Sequence, residues 1–159
     1  MNQHNFLPGK IDKCQICNSN NLIEVINIGN QPLANSLISN INDDKKVEKY
    51  PINIVRCIDC TLLQLDYIVD QKKVYHLNYP YLPGITNTVN NEQKELANYL
   101  TNKLHLGNKE LVVDVGSNDG NLLSHFKKNN LNTLGVEPTN IAKIANQNGI
   151  DTMQSFFNE

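Results

Sequence analysis

Hydrophobic positions follow two different patterns along the chain, and the change lies near residue 88. Residues 22–28, 50–56 and 62–69 are short runs rich in Ile, Val, Leu and Tyr, a pattern typical of β-strands. Residues 75–88 contain the Pro, Gly and Tyr residues that are typical of a loop. The first part of the chain is therefore predicted to be rich in β-structure.

After this loop, helical and strand patterns alternate. Apolar residues recur at three- and four-residue steps from Val89 to Leu104, which predicts a helix that ends before Gly107. Residues 111–115 form an apolar run that predicts a buried parallel strand. The alternation continues with a helix at 122–126, a strand at 133–137, a helix at 141–145 and a strand at 150–153. This order is that of the first half of a doubly wound, Rossmann-like α/β sheet.

Composition and length limit the domain organisation and the kinds of partner that the chain can have. The chain has 159 residues, so we predict a small β-rich domain at 1–74, a linker loop at 75–88 and a second, incomplete domain at 89–159. No apolar run approaches the roughly 20 residues needed to span a bilayer, and no secretory signal is recognised. A net charge of −2 argues against a nucleic-acid partner. We expect a cytoplasmic protein with no membrane partner.

All four cysteines lie in two pairs of identical spacing, Cys14 with Cys17 and Cys57 with Cys60. Two thiolates three residues apart on a tight turn can face one cation, and two such pairs complete a tetrahedral Zn²⁺ site. Two disulfides or a redox motif are the alternatives, which a reducing compartment and the doubled motif disfavour. A site closed by four cysteines leaves no position for a substrate, so this zinc is predicted to hold the fold.

The loop at 114–120, between the first parallel strand and its helix, is the predicted cofactor loop. Gly116 and Gly120 allow a ligand to approach the backbone beside a helix N-terminus. Asn118 stands where a nicotinamide fingerprint has its second glycine, and the Gly-Lys-Ser/Thr of a phosphate loop is absent. A tight turn without a ligand is the alternative.

Acidic residues indicate what this loop binds. Asp114 and Asp119 disfavour phosphate but suit a cationic ligand without phosphate, such as S-adenosyl-L-methionine. Glu137 ends the second strand about 20 residues on, where an acid accepts from both ribose hydroxyls. Asp119 is equally suited to be the N-cap of the next helix.

Several short sequence motifs follow one another along the chain, and their order indicates a protein family more specifically than any single motif does. They are the two cysteine pairs, Gln31-Pro32-Leu33-Ala34-Asn35, Leu62-x-Gln64-Leu65, Tyr79-x-Tyr81, the segment 115–120, Gly135-Val136-Glu137-Pro138, Gly149-Ile150 and Phe156-Phe157. In this order the chain resembles the zinc-containing sugar C-methyltransferases that act on nucleotide-linked 4-keto-deoxysugars. The resemblance implies a zinc domain, an S-adenosylmethionine domain and a further C-terminal α/β domain. One departure is Pro83-Gly84, where family members commonly have two serines.

In the reaction that the resemblance implies, a base removes the proton α to the sugar ketone, and the enolate carbon attacks the sulfonium methyl group. His76, Tyr79 and Tyr81 lie before the cofactor domain and are possible pocket residues, with aromatic packing or simple solvation as the alternatives. His125 is predicted to face solvent. We predict no catalytic base, because the resemblance places the acid–base residues in later segments.

The predicted second domain has three strands where a doubly wound sheet has about six. We therefore expect the chain to be the N-terminal part of a methyltransferase, inactive alone, with a complementary C-terminal polypeptide as partner and a nucleotide-linked sugar as substrate. Two alternatives remain open. One is a zinc-ribbon interaction module without catalysis, and the other is part of an NAD-dependent oxidoreductase.

Overall fold

The two hydrophobic patterns correspond to two separate units in the computed structural model, residues 1–74 and 75–159. The structure describes residues 7–40, 42 and 47–157. The other residues of the predicted domains, 1–6, 41, 43–46 and 158–159, lie outside this description.

The first unit is built on a three-stranded antiparallel sheet. The strands of the whole unit are β1 (Gly9–Lys10), β2 (Leu22–Pro32), β3 (Lys49–Cys57), β4 (Leu63–Leu65) and β5 (Tyr67–Ile68), and a short helix α1 (Gln71–Val74) follows them. Strands β2, β3 and β4 are neighbours in that order, while β1 pairs with β5. The β-rich prediction is confirmed for this unit, although β1 and α1 were not predicted.

The predicted strand at 62–69 is divided in two at Asp66. Its backbone N–H donates to the Asn53 carbonyl (3.1 Å), and its carbonyl accepts from Ile11 N–H (2.8 Å). Its carboxylate accepts from the Asn53 side-chain amide (2.9 Å). Two of these bonds hold Asp66 to Asn53 of β3, and the third holds it to Ile11, next to β1, which a pattern of apolar residues does not reveal.

The two faces of this sheet differ in burial. Cys57, Val55 and Gln64 are buried on one face. On the other face, the strand register places Ile23, Arg56 and Leu63 in one row and Ile26, Ile54 and Leu65 in the next. The large aliphatic residues Ile23, Ile26, Leu63 and Leu65 are exposed there.

The second unit alternates helices with parallel strands. A single 3-10 turn (Pro83–Ile85) precedes α2 (Asn87–Lys103), and the remaining elements are β6 (Leu111–Val115), α3 (Asn121–Lys128), β7 (Asn132–Val136), α4 (Ile141–Gln147) and β8 (Thr152–Met153). The sheet order is β6-β7-β8, all parallel. Helix α2 begins two residues before the predicted start because Thr86 Oγ1 accepts from Val89 N–H (3.4 Å).

One layer of side chains joins these helices to the sheet. Buried residues form two clusters, Ala97 with Phe126 and Leu131, and Leu123 with Ala145 and Ile150. Val112 of β6 packs against both. None of the helices in the described ranges is long and apolar enough to cross a membrane.

The prediction that residues 111–115 form a buried strand is wrong in its burial. Leu111, Val113 and Val115 are 57%, 47% and 55% exposed. The reason is that β6 lies at the edge of the described sheet, and the apolar clusters just named lie against Val112 on the other face.

Candidate functional site

The four cysteines of the first unit converge on one point. All four are free, and their sulfur atoms lie within 4.8 Å of one another. The Cys14 and Cys60 sulfurs are 3.5 Å apart, as are those of Cys17 and Cys57. Zn–S bonds of about 2.3 Å in a tetrahedral site require sulfur separations of roughly 3.8 Å. The donor set therefore fits a closed zinc site.

Turns that the spacing alone does not specify aim these sulfurs. In the first pair, Asn18 N–H donates to Cys14 O (2.9 Å), and in the second, Thr61 N–H donates to Cys57 O (3.0 Å). Asn18 and Thr61 both have positive φ angles, 60° and 66°. Each turn thus closes directly after its second cysteine.

Backbone N–H groups make two of the sulfurs better ligands. The N–H of Cys17 points at the Cys14 sulfur and lowers the pKa of that thiol to about 6. The N–H of Cys60 likewise lowers the pKa of Cys57. At Cys17, the N–H of Ser19 acts in the same direction, but burial and the neighbouring sulfurs outweigh it and raise the pKa to about 12. Four thiolates repel one another, and a bound cation relieves that repulsion.

The predicted cofactor loop lies in the second unit, at the carboxyl ends of β6 and β7. Gly116 N–H (2.8 Å) and Ser117 N–H (3.2 Å) both donate to Val136 O, which attaches the loop to the end of β7. Gly116 and Gly120 have φ angles of 80° and 73°, which glycine tolerates. A Cβ at Gly116 would meet nothing within 4 Å, so the backbone there has open space beside it.

Glu137 is brought directly to this loop. It is 5% exposed, and its Oε2 accepts from Asn118 N–H (3.0 Å) while Oε1 accepts from Thr139 N–H (2.9 Å). Burial, and then the charge of Glu137, raise the pKa of Asp114. The structure thus places the charge of Glu137 where it disfavours ionisation of Asp114, an arrangement that a cation would relieve.

Asp119 makes two contacts within the protein. Its Oδ1 accepts from Asn121 N–H (3.2 Å), but the prediction that Asp119 is the N-cap of α3 is wrong, because the chain enters the helix through Gly120 in a left-handed conformation (φ 73°). Its Oδ2 accepts from Gly84 N–H (3.2 Å), and a Cβ at Gly84 would lie 2.5 Å from that oxygen. The departure at Pro83-Gly84 therefore coincides with a direct contact to the cofactor loop.

The segment that contains the predicted pocket residues His76, Tyr79 and Tyr81 is hydrogen-bonded to the loop after β6 and to the start of α4. Asn118 Nδ2 donates to Tyr81 O (2.9 Å), and Asn140 N–H donates to Leu77 O (2.9 Å). Tyr81 is exposed, and the rings of His76 and Tyr79 meet edge-on with centroids 6.2 Å apart. Tyr81 is thus tied to the cofactor loop through its backbone, while His76 and Tyr79 pack against each other.

The loop at 114–120 approaches β7 closely, which was not predicted from the sequence. Ser117 Oγ is buried and has no hydrogen-bond partner among the described residues, and a Cβ at Gly135 would lie 2.5 Å from it and 2.7 Å from Thr152 Oγ1. Gly135 therefore leaves the space that the loop occupies. The only sequence signal was the glycine itself in an otherwise apolar strand.

The prediction that His125 faces solvent is wrong. It is 6% exposed, and its Nε2 lies 2.9 Å from Asn90 Oδ1. Asn121 Nδ2 donates to the same oxygen (3.1 Å), so α2 and α3 share a polar contact. Burial lowers the pKa of this imidazole, with smaller contributions from Lys128 and Lys94.

Comparison with known proteins agrees with this division into a cysteine unit and a second unit. The zinc binding domain family Methyltransf_13 matches residues 14–75, which include all four cysteines. C-methyltransferase NovU of Streptomyces niveus is 27% identical over 148 residues, 92% of this chain and 35% of that protein. This chain resembles part of a C-methyltransferase. The predicted resemblance to these methyltransferases is confirmed, and the chain spans about a third of the length of the relative it matches.

Proposed function

We propose that this chain is the zinc-holding and cofactor-binding part of an S-adenosyl-L-methionine-dependent C-methyltransferase whose acceptor is a nucleotide-linked keto-deoxysugar. The observation that carries the proposal is the contact between Glu137 and the Asn118 N–H, which joins an acid at the end of β7 to the loop after β6. The similarity to a C-methyltransferase supports the reaction class. We assign the three-stranded parallel sheet to the first half of a Rossmann-like domain.

The residues of the loop fit the proposed cofactor by charge and by space. When bound, S-adenosylmethionine supplies a methyl group on a positively charged sulfur. Asp114 and Glu137 place two carboxyl groups beside the loop, while Gly116 leaves its backbone open to a ligand. A carboxylate has about four lone-pair sites, so Glu137 can keep its two backbone bonds and still accept from hydroxyl groups.

His76, Tyr79 and Tyr81 are proposed to line the acceptor side of this site. Their segment is held to the loop and to the start of α4 by the hydrogen bonds that the Tyr81 and Leu77 carbonyls accept. In the proposed reaction these residues orient the acceptor. The base that removes the acceptor proton is not assigned to any of them.

We also propose that a complementary polypeptide completes the sheet. Strand β6 lies at the edge of the described sheet, and its exposed Leu111, Val113 and Val115 offer an apolar surface beside that edge. The chain alone is then expected not to methylate. Methyl transfer to a keto-deoxysugar nucleotide by the purified 159-residue chain would contradict this proposal.

The cofactor proposal is tested by calorimetric titration of the zinc-loaded chain with S-adenosylmethionine and, separately, with NAD. We expect binding of the first only. Glu137→Gln should weaken binding by about 10- to 100-fold, the loss expected for hydrogen bonds to a charged group. Glu110→Gln, at an exposed position before β6, is the matched control and should bind normally. NAD binding would favour an oxidoreductase instead.

A second candidate, a zinc-dependent interaction module, is favoured by the exposed aliphatic face of β2, β3 and β4. It predicts that neither small molecule binds while the zinc unit remains folded. The same titration therefore separates the two candidates.

A further inference from the structure

Gln64 is a buried polar residue on the zinc-facing side of the first sheet. It lies in the middle of β4, is 8% exposed and pairs in register with Val55 of β3. Its side chain makes two hydrogen bonds to a distant part of the chain. Oε1 accepts from Gln15 N–H (2.9 Å), and Nε2 donates to Lys13 O (3.3 Å).

These two bonds bracket one zinc ligand. The Lys13 carbonyl belongs to the peptide group before Cys14, and the Gln15 N–H belongs to the peptide group after it. The Gln64 amide therefore holds the backbone on both sides of Cys14, which is itself fully buried. A planar amide with one donor and one acceptor matches this pair of backbone groups.

The same strand is connected to the other cysteine pair. Leu62, two residues before Gln64, accepts from Cys57 N–H through its carbonyl (2.9 Å). Val55, the register partner of Gln64, lies two residues before Cys57. Gln64 thus lies on the strand that follows the second cysteine pair, while its side chain holds the backbone of the first pair.

We propose that Gln64 is a positioning residue of the zinc site, which sets the first cysteine pair against the second by clamping the backbone around Cys14. The proposal rests on zinc binding by the four cysteines. Mutation of residues that orient metal ligands without touching the metal typically costs about 10- to 100-fold in metal affinity.

The test compares zinc release to a chromogenic chelator with thermal unfolding, using the full chain. Gln64→Met removes both side-chain bonds while keeping a similar shape. Val55→Ala truncates the buried register neighbour and leaves the Gln64 bonds in place. Gln71→Met changes an exposed glutamine in the same unit and is the surface control.

We expect Gln64→Met to release zinc about 10- to 100-fold faster than the wild type. Val55→Ala should lower the melting temperature but release zinc at close to the wild-type rate, and Gln71→Met should change neither. If Gln64→Met and Val55→Ala show the same relation between release rate and melting temperature, Gln64 contributes packing only and the proposal is overturned. Absence of zinc from the wild type would instead reject the zinc site itself.

A variant that leaves Gln64 in place gives an independent measurement. Gln15→Pro removes the N–H from which Gln64 accepts, at the second position of a turn, where proline is favoured. If the clamp exists, Gln64→Met should accelerate release less in the Gln15→Pro chain than in the wild type. Fully additive effects would contradict the proposed connection.

Discussion

Cys14 and Cys57 differ from the other two cysteines because both are fully buried and both sulfurs accept backbone N–H groups that lower the pKa of the thiol. We predict that replacing either by serine lowers zinc content well below one ion per chain. Because binding energy of a structural zinc is folding energy, the first unit should also lose its thermal transition.

The measurement is metal analysis combined with melting in the presence and absence of a strong chelator. The chelator should lower the melting temperature of the wild type and leave the serine variants unchanged. A serine variant that keeps a full equivalent of zinc would show that the residue is not a ligand.

His125 makes the stability of the second unit depend on pH. Its pKa in the folded chain is lowered from the ordinary 6.5 because the ring is buried. The unfolded chain therefore takes up a proton first, so stability should fall as the pH drops through about 6.5. Above that pH the ring is neutral in both states and contributes no slope.

Chemical denaturation of the second unit between pH 8 and pH 5 tests this sign. His125→Gln should flatten the decrease below pH 6.5, whereas His105→Gln, at an exposed position after α2, should leave it unchanged. A His125→Gln variant with the full wild-type decrease would assign the pH dependence to other groups.

Gly135 allows the cofactor loop to lie on β7. A methyl group there would clash with Ser117 Oγ and Thr152 Oγ1, so Gly135→Ala should cost about 1–3 kcal/mol of unfolding free energy. Gly107→Ala is the control, since its nearest neighbour would be Glu110 Oε2 at 3.5 Å. Equal stabilities of the two variants by urea denaturation would show that the loop has room to move.

Among the secondary-structure elements, β6 has two faces with opposite surroundings. Val113 is exposed, while Val112 packs against both apolar clusters. We predict that Val113→Lys leaves the fold intact, because the charge falls on an exposed surface. Val112→Lys should unfold the second unit, because it buries an unpaired charge.

Sedimentation and circular dichroism of these two variants provide the check. If Val113→Lys unfolds the chain as completely as Val112→Lys does, the burial described for β6 is incorrect.

The elements of the second unit were largely predictable, because α2, α3 and α4 each have apolar residues at helical spacing and the strands between them are short apolar runs. The pattern of apolar residues could not predict which other residues cover each face of a strand or helix. The exposure of β6 and the break at Asp66 both depend on hydrogen bonds and partners that lie far apart along the chain.

For the molecule as a whole, the convergence of the four cysteines was more predictable from the sequence than the connections of the loop after β6. Two cysteine pairs of this spacing predict a metal site because few other kinds of site require that spacing. The sequence indicated the loop residues one by one, but not the hydrogen bonds that connect them. The bond from Asn118 N–H to Glu137, the bond from Gly84 N–H to Asp119 and the space at Gly135 arise only when the strands align.

The central claim is that one chain combines a zinc unit with a separate unit whose loop binds S-adenosylmethionine. Titration of the ¹⁵N-labelled, zinc-loaded chain with S-adenosylmethionine, followed by amide chemical shifts, tests it most directly. The account predicts saturable shifts at Gly116, Asn118, Gly120 and Thr139, with the amides around the four cysteines unchanged. Shifts confined to the zinc unit, or none at saturating concentrations, would contradict it.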